Sequence, residues 1–115
     1  MQYAVMIYAD PHYGDALPEA EQAQIQAEFM ALLDDKRIVQ SARLQPAETA
    51  TSLRVVGGRT LKTDGPFADT KEVLGGFALV EAANLDDVIE LAERIPVARY
   101  GGGVEIRPLG QVSRT

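Results

Sequence analysis

Two short segments, residues 3–9 and 76–82, carry apolar side chains on both parities of a strand, so the sheet they build has two faces to cover. The first is stopped at once by Asp10-Pro11, a boundary that suits a buried strand better than a helix. Only two segments offer helices as cover. Pro18 with Glu19 and Glu21 reads as a helix start, and Ile25, Phe29, Leu32 and Leu33 recur at helical spacing up to about Lys36, predicting a rod packed on the sheet. Asn84, with Asp87 three residues on, caps a second helix whose stripe is Leu85, Val88, Ile89, Ala92 and Ile95; Pro96 ends it. Both helices are expected on one face. The other face then needs a second copy of the chain, which predicts a homodimer.

Residues 38–44 and 104–109 alternate as further strands. Between the first of these and residue 76, two β-rich stretches, 51–56 and 59–63, flank Gly57-Gly58, the pair that a tight hairpin turn demands. The order is strand, helix, strand, hairpin, strand, helix, strand. It predicts an α+β, ferredoxin-like sandwich with an inserted β-hairpin, built as one domain over residues 1–115. A chain of 115 residues and 12.4 kDa has room for one core.

Composition narrows the function classes. With no cysteine, disulfides, thiolate metal sites and thiol nucleophiles are excluded, and a reducing, cytoplasmic setting fits. A net charge of -6 with no basic cluster in view argues against nucleic acid and anionic membrane as partners. No stretch approaches the roughly 20 apolar residues of a membrane span, and the N-terminus has no basic leader.

The densest chemistry lies in residues 63–76, which crowd turn residues, a phenylalanine and charges together. Turn formation alone accounts for Asp64, Gly65 and Pro66. The functional reading makes Asp64 a general base, Lys71 an anion anchor and Glu72 a second proton carrier. His12, the single histidine, sits beside Asp10 and Asp15 in the loop after the first strand and is an auxiliary proton-transfer candidate. Arg43, Glu81, Glu105 and Arg107 are polar strand positions that serve either as substrate handles or as rim pairs; Arg107 is taken as a substrate-binding candidate. One histidine among scattered carboxylates is poor material for a metal site, so neither metal nor cofactor is expected. The run Gly101-Gly102-Gly103 leads into a strand rather than a helix, unlike nucleotide-binding loops, and reads as a flexible connection.

The run Asp64-Gly65-Pro66-Phe67 with Lys71-Glu72 and Gly75-Gly76, the opening Tyr3-Ala4-Val5-Met6-Ile7-Tyr8, the stretch from Asn84 to Pro96 and the ending Gly103-Val104-Glu105-Ile106-Arg107-Pro108 resemble the YCII-related family in its DGPF-domain branch. The resemblance covers nearly the whole chain. It implies a ferredoxin-like fold in a dimeric α/β-barrel assembly, relatives that act on small ring compounds, and an association of some members with extracytoplasmic-function sigma factors. The family's suspected catalytic dyad, a histidine on the first helix paired with an aspartate, has no counterpart, because residues 18–36 contain no histidine. Two functions are expected: metal-free proton transfer, an isomerisation or elimination, on a small organic acid or ring compound held between sheet faces beside residues 64–72, or a non-catalytic ligand-binding or regulatory module.

Overall fold

The computed structural model describes residues 1–67 and 70–110. Its strands are β1 (Gln2–Ala9), β2 (Ile38–Arg43), β3 (Thr51–Val56), β4 (Arg59–Asp64), β5 (Val73–Glu81) and β6 (Gly103–Pro108). The helices are α1 (Glu19–Leu32) and α2 (Leu85–Glu93), with 3-10 turns at Ala47–Thr49 and Pro96–Arg99. β2, β5, β1 and β6 form one antiparallel sheet in that order, the order of two split βαβ units, and β3 with β4 forms a separate hairpin. The fold is thus α+β with an antiparallel sheet and two helices, as the patterning predicts.

Alternation assigns the faces. Tyr3 and Val5 of β1 and Ala78 and Val80 of β5 are buried with Val88, Leu91 and Ala92 of α2, which packs squarely on the sheet. Ala4, Met6 and Tyr8, paired with Leu79, Phe77 and Leu74, point to the opposite face, and there they stay partly exposed. Asn84 caps α2 as expected, its side-chain oxygen accepting from the Asp87 N–H at 3.0 Å.

Three details correct the sequence reading. Pro18 stands just outside α1, its carbonyl accepting from the Glu21 and Gln22 N–H groups, and α1 ends at Leu32 rather than near Lys36. The chain turns there because Asp35 folds back onto the Arg37 backbone N–H at 2.9 Å. Second, α1 does not pack along its length: Leu32 is its one buried residue. Third, the glycine run before β6 is no slack connection. A Cβ on Gly102 would lie 2.6 Å from the Tyr8 carbonyl oxygen and 2.7 Å from Val97 Cγ2.

Arg37 ties the end of α1 to α2. Its guanidinium donates to both Asp35 carboxylate oxygens at 2.8 and 2.9 Å, to the Asp87 carbonyl at 3.0 Å and to Glu90 at 2.8 Å. Arg94 adds a second contact to Asp35 at 3.2 Å. The Arg37 hydrogen bonds hold the Asp35 carboxyl well below the usual carboxylate range despite partial burial. A carboxyl whose pKa falls on folding stabilises the fold above its unfolded pKa of about 3.9 and loses that contribution as pH falls toward the folded value. Asp35→Asn is expected to cost about 2 kcal/mol at pH 7. Urea unfolding should show the gap to the parent protein closing progressively below about pH 4.

Candidate functional site

The space that α1 leaves above the sheet is a chamber of about 750 Å³. Its floor explains why it stays open. On the helix-facing side β1 ends in Ala9, β5 offers Gly76 and Ala78, and β2, after an irregularity between Ile38 and Gln40, offers Ser41. These side chains are too short to reach Ile25 and Phe29 of α1, which form the roof. Even one methyl is excluded at Gly76, where a Cβ would meet the Ala42 carbonyl oxygen at 2.9 Å.

The wall is mostly apolar, and three charged or phenolic groups break it. Arg43, opposite Gly76, shares the face of Ser41 and lines the chamber from the edge strand. Among the described residues it has no acidic partner, whereas Arg37, Arg94, Arg99 and Arg107 all do. Asp10 and Tyr13 line the chamber where β1 ends. Asp10 Oδ1 accepts from the His12 backbone N–H at 2.9 Å, which fixes the carboxylate.

The residues singled out from the sequence lie around this space rather than inside it. His12 is exposed, and its Nδ1 lies 2.9 Å from Asp15 Oδ2. Lys71 and Glu72 are also exposed and immediately precede Val73, which pairs with Ala9, so the register sets them at the same end of the sheet as Asp10. Asp64 is the last residue of β4, exposed opposite Thr51 at the foot of the hairpin. There Gly65, at a φ of 103°, donates its N–H to the Ala50 carbonyl at 2.7 Å and accepts from the buried Ser52 hydroxyl at 2.6 Å. That is the turn-forming role its residue types allow. Ala68 and Asp69 of the same loop lie outside the described residues. Arg107 pairs with Ala4 toward the far end of β1 and makes an ion pair with Glu105 at 3.3 Å, as a rim pair would.

The chamber therefore lies on the helix side of the sheet, not on the outer face. Arg43 stands out in the sequence as a polar strand position; Asp10 shows there only as the residue that stops the first strand, and Tyr13 carries no signal of its own. Among the described residues no three His, Cys, Asp or Glu side chains gather into a metal-ligand group, and no helix is long and apolar enough to cross a membrane.

Comparison with known proteins covers the whole of this arrangement. The family model for the YCII-related domain matches residues 1–112. An uncharacterized protein of Rhizobium meliloti (strain 1021) is 35% identical over 114 residues, which span 95% of this chain and 92% of that one. Among solved structures, 5-chloro-2-hydroxyhydroquinone dehydrochlorinase (TftG) from Burkholderia phenoliruptrix AC1100, in complex with 2,5-dihydroxybenzoquinone, superposes with a TM-score of 0.55 at 16% identity, covering 97% of this chain and 96% of that one. At that identity the likeness speaks for the fold alone.

Proposed function

Because the chain belongs to the YCII-related domain family, we propose that it acts as a homodimer that takes a small acidic ring compound into the chamber beneath α1 and moves a proton on it, in an isomerisation or elimination. The observation that carries this reading is a largely apolar chamber with a guanidinium on its wall, that of Arg43, which has no acidic partner among the described residues. The apolar walls favour a ring, while Arg43, exposed on the edge strand, offers a planar fork to a carboxylate or an acidic hydroxyl. Asp10 is fixed through one oxygen by the His12 N–H, and the other, which accepts no hydrogen bond among the described residues, is placed to take a substrate proton. That assignment gives the base to Asp10 rather than to Asp64 at the hairpin foot, with His12, Lys71 and Glu72 as auxiliary groups at the chamber's end. The structural neighbour's name describes an elimination on a small hydroxylated ring, which supports the reaction class. The second copy of the chain covers the outer face of Met6, Tyr8, Phe77 and Leu79.

Calorimetric titration with 2,5-dihydroxybenzoquinone tests the reading. Arg43→Ala is expected to weaken binding about 10- to 100-fold, the worth of one charge-assisted hydrogen bond, with Arg43→Lys in between. Equal affinity in all three proteins would remove Arg43 from the site. The largely apolar wall also suits a second reading, a ligand-sensing module whose partner is a sigma factor. Binding that depends on Arg43, with no turnover that Asp10→Asn abolishes, would select that reading.

A further inference from the structure

Among the described residues, no layer of the fold lies behind the β3–β4 hairpin. Of its residues only Ser52, at the foot, is buried, yet Leu53, Val55, Val56 and Leu61 are each more than half exposed. A lone two-stranded ribbon is marginal in water, and this one shows apolar side chains on both of its faces. Its foot is nevertheless fixed. The Gly65 N–H and carbonyl both bond across it to Ala50 and Ser52, and Arg54 lies over the Phe67 ring at 4.7 Å. The ribbon is held away from its own core rather than folded onto it.

Charge is segregated in the same way. Arg54, Arg59 and Lys62 against Asp64 give residues 51–64 a net +2, so the rest of the chain, at -6 overall, carries -8. The shape agrees: the chain exposes 8330 Å², roughly 2000 Å² more than a compact monomer of its mass. Its radius of gyration is 16.2 Å, where about 13 Å is usual. An excess of that size is the share each subunit buries in an obligate dimer.

We propose that the β3–β4 hairpin is an arm that docks on the acidic body of a second copy of this chain. The inference rests on the homodimer proposed above and adds to it a contact outside the outer sheet face. Apolar side chains supply the buried area, and the three cations orient the arm on a partner surface of opposite sign. The arm rises from the segments that border the chamber, since Pro46 and Ala47 lead into it and Val73 follows it. Docking therefore also fixes the chamber's edge.

Sedimentation equilibrium and amide exchange on the full chain test this together. The parent protein is expected to dimerise, with the amides of residues 51–64 protected above the dissociation constant and fast below it. Leu53→Glu/Val55→Glu should weaken the dimer at least about 100-fold, and Arg59→Glu/Lys62→Glu should weaken it in a salt-dependent way. A dimer untouched by both variants, with hairpin exchange independent of concentration, overturns the arm and leaves the homodimer standing. A monomer at every concentration overturns both. Capture of a single-stranded oligonucleotide by the arm, with sedimentation of the variants unchanged, assigns the cations elsewhere and also overturns it. If the apolar variant fails to fold, concentration-dependent exchange in the parent protein decides alone.

Discussion

Gly102→Ala is expected to destabilise the protein by about 3 kcal/mol, at the upper end of overpacking costs. The added Cβ would stand 2.6 Å from the Tyr8 carbonyl oxygen, 2.7 Å from Val97 Cγ2 and 3.1 Å from the Val97 carbonyl oxygen. Two of those three neighbours are backbone, and neither can move cheaply. Tyr8 is pinned in the centre of the sheet between β5 and β6, and the Val97 carbonyl accepts the Gly102 N–H at 3.0 Å, closing the turn that launches β6. Relief would require β6 to part from β1 or the Val97 turn to open, and Val97 belongs to the core. The adjacent Gly103 is the control. A Cβ there meets nothing within 4 Å, so Gly103→Ala should unfold within about 0.5 kcal/mol of the parent protein. Urea unfolding of the two variants side by side gives the comparison, and equal midpoints would show that β6 is not seated this closely.

A charge on the outer sheet face should do more to assembly than to folding. Phe77 pairs with Met6 and adjoins Tyr8 and Leu79 on the face that α2 does not cover, so Phe77→Asp leaves the helix-side core untouched. In a two-fold interface one substitution is felt twice. Burying an unpaired carboxylate costs at least about 2 kcal/mol at each copy, so the dimer should weaken by roughly 1000-fold or more. Sedimentation equilibrium measures it directly. Retention of the parent dissociation constant would place the interface elsewhere, on the hairpin alone.

Strands, helices and the hairpin were legible because each rests on local rules. Gly57-Gly58 takes the left-handed angles of its turn, with φ of 58° and 76°, and Asn84 makes the capping bond its type suggests. The double-sided apolar character of β1 and β5 likewise survives as one core face and one partly exposed face. What failed was depth. The stripe Ile25, Phe29, Leu32, Leu33 says which way α1 faces but not how far it stands from the sheet. That distance is set by Ala9, Gly76, Ala78 and Ser41 on three different strands, and only their register brings them together. For the same reason the Asp35–Arg37–Glu90–Arg94 cluster, joined across more than fifty residues, was invisible in the sequence. The segment around Asp64 drew attention by its composition, yet the structure shows Gly65 and Ser52 there holding the hairpin's foot. Pairing with Gly76 puts Arg43 on the chamber side, a placement that its position in the sequence alone does not give.

Nuclear magnetic resonance with a small aromatic acid tests the chamber beneath α1 most directly. On titration with benzoate, shifts are expected at the amides of Ile25, Phe29, Ser41 and Arg43 and at Asp10, and they should collapse in Arg43→Ala. Shifts confined to Met6, Tyr8 and Leu79 on the outer face or to residues 64–72, or a pattern that Arg43→Ala leaves intact, would contradict it.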